Sequence, residues 1–174
     1  MRRVSLNQRL SLEDASSDEV EVALFVFEHS ELEEPVRLSS DPTERLWSDP
    51  LAYGTRSTFN DSNPSSEPFH FVLVSTDLPS DLEEAPAEAT LVLENVTRGI
   101  ADVLQSITTR ATAHMAIVLA SSPDVIEAEY RDLRLVRAEG DASEITLSIS
   151  RESIEEEAFP SARMTKQRFP GLHR

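Results

Sequence analysis

The sequence predicts a mainly β domain, an antiparallel β-barrel or sandwich with one amphipathic helix and extended arms. Three observations carry that prediction. The apolar stretches are short and rich in Val, Ile, Leu and Phe, the composition of strands. Clusters of Pro, Gly, Asn, Asp and Ser separate them, which is turn chemistry. Only one stretch repeats its apolar residues with the 3.6-residue period of a helix.

The elements follow in order. Residues 1–18 read as an N-terminal arm. The first strand, 20–27, is β-branched and aromatic, broken only by Glu21. Residues 35–39 alternate with period two and form a second, short strand. Residues 40–67 hold Pro42, Pro50, Gly54 and Pro64 among many Ser, Asp and Asn residues and read as a long loop. Within it, 60–66 has little to bury, and a loop of this length is functional or orders only on assembly. Strands follow at 69–74, 89–94 and 113–119. Between the last two, Val96, Ile100, Val103, Leu104 and Ile107 form one helical stripe, with Asn95 or Thr97 available as the cap. Strands at 127–136 and 145–149 close the set, with Gly140-Asp141 as the turn. In the last of them Ile145, Leu147 and Ile149 share one face and Thr146 and Ser148 the other, the pattern of half-buried antiparallel sheet. The β-rich domain thus runs from 19 to 158, and 159–174 is a C-terminal arm. That arm keeps Phe159, Met164, Phe169 and Leu172 at intervals, so it must pack on its own body or on another subunit.

Composition narrows function. The chain has 174 residues, 32 acidic against 16 basic, for a net charge of −16. Such a balance argues against stable nucleic-acid binding, which needs a basic face. No apolar run approaches the roughly 18 residues of a membrane span, and no hydrophobic segment follows the basic start to make a secretory signal. Without cysteine there is no disulfide framework, thiolate nucleophile or Cys-based zinc site. Charge is also segregated. Acidic residues crowd 13–34, 77–94 and 152–157, while Arg2, Arg3, Arg163, Lys166, Arg168 and Arg174 make both ends basic. Fifteen of the sixteen cations are Arg, a bias of coding that also suits interface ion pairs.

Chemical motifs are missing. There is no GxxxxGK[ST] loop, GxGxxG, HExxH or GxSxG elbow. His29, His70, His114 and His173 lie far apart, and His70 and His114 sit in strands, where a polar-face or hydrogen-bonded half-buried role is expected. The acidic loop with Asp77, Asp81, Glu83 and Glu84 lacks the Gly and Glu positions of an EF-hand and reads as solvated. The chain is therefore expected to be an interaction or structural module, with no enzyme activity, cofactor or metal.

Short ordered motifs add a resemblance. Glu34-Pro35-Val36-Arg37-Leu38-Ser39-Ser40-Asp41-Pro42 and Asp49-Pro50-Leu51-Ala52-Tyr53-Gly54-Thr55 resemble an uncharacterised tail-protein family of siphophages. The likeness continues through Glu88 to Val96, Leu119 to Asp124, Phe159 to Met164 and Phe169 to Leu172. A weaker likeness, at 90–107 and in Phe159-Pro160-x-x-Arg163-Met164, reaches the N-terminal region of lambda-type minor tail proteins. Those add a Cys-rich region holding an iron–sulfur cluster, which this Cys-free chain does not share. The resemblance implies a hub component of the tail tip in the virion. It would be a homo-oligomeric ring, expected to be a trimer, between the distal-tail protein and the central fibre or receptor-binding protein, near the C-terminus of the tape measure. A tail-assembly chaperone or another minor tail protein is the alternative, and a tail-associated hydrolase is less favoured. The residues expected at subunit contacts are Trp47, Tyr53, Phe159, Arg163, Met164, Arg168 and Phe169, because aromatic, Met and Arg side chains are enriched at interfaces.

Overall fold

A computed structural model of the chain describes residues 5–77, 88–94, 111–140 and 144–150. One helix, α1 (Leu6–Glu13), precedes ten strands: β1 (Glu21–Glu28), β2 (Val36–Ser39), β3 (Glu44–Ser48), β4 (Leu51–Thr55), β5 (Phe69–Phe71), β6 (Leu73–Asp77), β7 (Glu88–Glu94), β8 (Thr112–Leu119), β9 (Ser122–Gly140) and β10 (Glu144–Ser150). A 3₁₀ turn, Phe59–Asp61, lies between β4 and β5. The protein is mainly β, as expected. The helix expected at 96–107 and the segment 159–174 lie outside the described residues.

All ten strands form one sheet in the order β3-β4-β5-β2-β1-β8-β9-β10-β7-β6. Every pairing is antiparallel except β2 with β5, which run parallel. The order has a geometric consequence. β5 and β6 stand third and last, yet only Val72 separates them in sequence. The Val72 amide donates to Ser39 O at 2.9 Å, while Leu73 already lies opposite Glu94 of β7. The sheet must therefore curl until β2 and β7 come within a residue or two of one another. What reads in sequence as one strand, 69–74, is two strands that change partner at Val72.

Two cores hold the curled sheet. The larger joins Phe25, Phe27, Leu38, Leu91, Leu93, Met115, Leu133, Ile145, Leu147 and Ile149, with Val72 at the seam. The smaller joins Val22, Leu24 and Val26 to Phe59, Phe69, Ala116 and Val118. β1 thus sends alternate residues to different cores, Phe25 and Phe27 to one and Val22, Leu24 and Val26 to the other. Burial on both faces is why β1 is almost continuously apolar. β10 behaves as its sequence predicts: Ile145, Leu147 and Ile149 are buried and Thr146 and Ser148 only half-buried.

Two further expectations are corrected. Residues 40–67 are not a structureless loop: β3 and β4 form a hairpin across Asp49-Pro50. The remainder is tied down by Phe59, which is buried against Phe69 at a ring separation of 6.3 Å, and by side-chain bonds. Ser57 Oγ donates to Pro123 O at 2.7 Å, and the Thr58 amide donates to Asp124 Oδ1 at 2.8 Å. Within the N-terminal arm, α1 is a defined helix. Ser5 caps it by accepting from the Gln8 amide at 3.1 Å.

Candidate interaction surface

The β3–β4 hairpin occupies one end of the sheet, and β3 leaves an edge with no strand beside it among the described residues. Leu46 is the hairpin's anchor. It is buried, while its neighbours Arg45 and Trp47 point to solvent. Gly54 permits the anchoring. A Cβ at this position would lie 1.8 Å from Phe69 O and 3.0 Å from Leu46 Cδ1, so only glycine lets β4 close on β5. A hydroxyl bond of 2.7 Å between Ser39 and Thr55, buried from water, secures the same junction.

Held this way, the hairpin presents Trp47, Leu51 and Tyr53, which remain 37%, 61% and 40% exposed. Trp47 meets the His70 ring edge-on, with centroids 5.5 Å apart and planes at 70°. That contact fixes the indole orientation while leaving much of its face open. Burial lowers the His70 pKa from its ordinary value of 6.5, because the charged ring loses water. The imidazole beneath Trp47 is thus a neutral, half-buried support. Three large apolar side chains on one edge hairpin, with charged Glu44 and Arg45 exposed alongside, match the composition of protein-contact surfaces.

A second polar cluster lies across β1, β8 and β9. His114 is buried, and its Nδ1 accepts from the Asp132 amide at 3.2 Å. Its hydrogen in the neutral ring is therefore on Nε2, which faces Glu28 Oε2 at 3.8 Å. The other oxygen of Glu28 accepts from Asn60 Nδ2 at 2.6 Å, and Asn60 Oδ1 accepts from Arg131 at 3.3 Å. The Arg131 guanidinium also sits 5.6 Å from the centre of the Phe59 ring. Asn60, Asp61 and Asp132 all adopt positive φ, near 57°, a conformation that Asn and Asp tolerate better than other non-glycine residues. The expectation for His114, a hydrogen-bonded strand histidine, agrees with this arrangement. Glu28 also borders an open hollow of about 500 Å³ lined by His29, Ser30, Leu32, Pro35 and Thr112. Among the described residues no group of three or more His, Asp or Glu side chains is arranged to hold a metal ion.

The helix α1 is fastened to the opposite end of β1 and to β9. The Ser5 amide donates to Glu127 Oε2 at 2.8 Å, and Gln8 Nε2 donates to Glu21 Oε1. Gln8 and Glu127 are buried, and among the described residues the amide oxygen of Gln8 and the Oε1 of Glu127 have no hydrogen-bond partner. With Gln8 turned inward, Leu6, Leu10 and Leu12 of α1 face solvent.

Of the residues expected at contacts, the structure brings Trp47 and Tyr53 onto one hairpin, both exposed but on opposite faces, Trp47 beside Ala52 and Tyr53 beside Arg45. Phe159, Arg163, Met164, Arg168 and Phe169 lie outside the described residues. Sequence reasoning missed Leu51, which is exposed on the same face of the hairpin as Tyr53, and the outward leucines of α1. Ser5-x-x-Gln8 was a usable signal for that helix, since Ser followed three residues later by Gln marks an N-terminus. No protein-family model matches the chain, and no curated protein matches it.

Proposed function

We propose that this chain is a structural assembly subunit that works by docking to other protein subunits, without catalysis. The observation that carries the reading is the edge hairpin whose Trp47, Leu51 and Tyr53 stay exposed while Leu46 and Gly54 hold it rigidly to the sheet. This edge hairpin keeps large apolar groups exposed on both of its faces, Leu51 and Tyr53 on one and Trp47 on the other, which suits a partner that clasps the edge better than it suits chance exposure. The setting comes from the siphophage resemblance, which rests on the short motifs at 34–55, 88–96, 119–124, 159–164 and 169–172. On that basis the chain is a hub component of the tail tip, built into the virion as a ring, with a trimer expected. It would bridge the distal-tail protein and the central fibre or receptor-binding protein. The single-residue step at Val72, which forces the sheet to curl, supports reading the architecture as a barrel of the kind hub domains use.

The test is particle-based. Purified virions should contain the chain in fixed stoichiometry, and a cryo-electron-microscopy map should place it in a ring at the tail tip. The double variant Trp47→Ser/Tyr53→Ser should fold normally yet fail to enter particles. A chain needed for assembly but missing from finished virions would mean a chaperone and overturn the hub reading. So would an isolated monomer in a fibre, or normal assembly of the double variant.

A further inference from the structure

The ladder between β8 and β9 is interrupted at His114. Ala113 lies opposite Leu133 and Met115 opposite Tyr130, so Arg131 and Asp132 together face His114 alone. That is a β-bulge, an extra residue in one strand that interrupts regular pairing. Asp132 adopts φ 57° within it, a sparsely populated conformation that surrounding contacts must hold. One such contact is a side chain. The Asp132 amide donates to Nδ1 of the buried His114 at 3.2 Å.

An imidazole can lose that acceptor. The neutral ring has one acceptor nitrogen, whereas the charged ring has two N–H groups and none. On protonation Nδ1 would set a hydrogen against the Asp132 N–H, donor against donor. Nε2 fares differently. It faces Glu28 Oε2 at 3.8 Å, an anion to which a charged ring makes a stronger contact than a neutral one. Glu28 can answer without leaving Asn60, which donates to its other oxygen at 2.6 Å. The charged ring is therefore held on the Glu28 side and opposed on the Asp132 side.

We propose that His114 is a proton-operated latch on the β9 bulge, closed on the Asp132 amide when the ring is neutral and open when it is charged. Nothing in it requires the assembly reading. The moving part is small, because both neighbours of Asp132 are anchored. Arg131 donates to Asn60 Oδ1 at 3.3 Å and to Glu129 Oε1 at 3.0 Å. Leu133 is buried in the larger core. Between them Asp132 is exposed, and once its amide is released its carboxylate can turn toward the charged Nδ1. Other charged groups on the elements around the ring are engaged elsewhere. Arg134 donates to Thr112 Oγ1 at 3.0 Å, and His29, next to Glu28 in sequence, faces Glu31 at 3.8 Å. Asp61 of the 3₁₀ turn follows Asn60 and is exposed.

Nuclear magnetic resonance on the full-length chain labelled with nitrogen-15 reads each part of the latch. The window runs from about pH 8 to about pH 5.5, within the histidine range and above that of ordinary carboxylates. At the upper end the His114 nitrogens should show the tautomer with hydrogen on Nε2, and at the lower end the charged ring. Protection of the Asp132 amide, corrected for intrinsic exchange, should fall about tenfold as the ring charges, the effect of losing one ordinary hydrogen bond. The coupling between its amide and α hydrogens, which reports φ, should change with it. Amides of β10 should keep their protection. His114→Gln retains an acceptor that does not titrate, so Asp132 should stay equally protected across the window. His29 and His70 remain in that variant, which separates their titration from that of His114. Hydrogen on Nδ1 at the upper end, a ring still neutral at the lower end, or Asp132 protection that ignores ring charge would each overturn the proposal. So would the same loss in His114→Gln. The wild-type readings decide the matter by themselves where the variant does not fold.

Discussion

Replacing Gly54 by Ala joins the fold to the proposed function in one experiment. The added Cβ would sit 1.8 Å from Phe69 O and 2.9 Å from Phe69 C, a backbone overlap that side-chain motion cannot relieve. β4 must then move away from β5. The cost is capped by what holds the hairpin down, since a larger clash is relieved by detaching it. Detachment re-exposes Leu46, about 1.5–3 kcal/mol for a buried leucine. It also breaks the Ser39–Thr55 hydroxyl bond, about 1 kcal/mol. The exposed Arg56–Glu44 ion pair lies within the hairpin region and adds little. Gly54→Ala should therefore destabilise the region by about 2.5–4 kcal/mol, near the upper end of what overpacking costs. The loss should be local, because neither β3 nor β4 contributes to the two cores. Hydrogen exchange by mass spectrometry is the assay. Amides of 44–55 should lose protection while β1, β8 and β10 keep theirs, and partner binding through Trp47 and Tyr53 should weaken with them. Wild-type protection at 44–55 in the variant would refute the account of Gly54. Uniform loss across the sheet would refute the claim that the hairpin is an appended unit.

Other outcomes follow from the same contacts. Phe59→Ala should cost about 3–5 kcal/mol in chemical unfolding, the range for emptying an aromatic site; a loss under 1 kcal/mol would mean the 3₁₀ turn does not close the smaller core. Ser5→Ala removes the side-chain cap of α1 and should raise exchange of α1 amides by the equivalent of about 1 kcal/mol, leaving β9 unchanged. The pH dependence has a definite sign. Burial lowers the His70 pKa, so the unfolded chain takes up the proton more readily than the folded one. Stability from this group is complete above the ordinary value of 6.5 and falls as pH drops below it toward the folded value. His70→Gln should flatten that part of the stability profile, and an unaltered profile would assign the slope to other groups.

The parts of the fold that were legible in the sequence are those where local pattern and tertiary environment agree. β10 alternates because one face is buried, and β1 is apolar throughout because it serves two cores. The hairpin at 44–55 was not legible, because Pro42, Pro50 and Gly54 are turn residues by composition. Gly54 is there for another reason: a neighbouring carbonyl occupies the space of its side chain. Likewise, 69–74 reads as one strand, since nothing in the alternation of Phe69, His70, Phe71, Val72, Leu73 and Val74 reports a change of partner. Helix α1 hid for the opposite reason. It buries Gln8 and exposes its leucines, the reverse of an amphipathic surface helix. Trp47 and Tyr53 could be picked out by residue type; that they share one hairpin required the β3–β4 register.

Charge decides which of these surfaces can bring copies together. Removing the four cations of 159–174 from the net −16 leaves −20 on residues 1–158, since the segment holds no acid. Two such bodies repel, and an apolar patch such as the hairpin must work against that repulsion when it meets another copy of the same surface. Screening at physiological salt, with a Debye length of about 8 Å, weakens the repulsion between distant charges but not between those in contact. A self-contact is therefore favoured where it sets cations against acidic surface. The hairpin, with Arg45 beside Tyr53 across the strand pair and few acids on its outer residues, is better matched to a different protein. The mismatch has a measurable consequence for the proposed function: Trp47→Ser/Tyr53→Ser should leave self-association within about twofold of wild type while abolishing entry into particles, and a joint loss of both would show that the hairpin also joins copies.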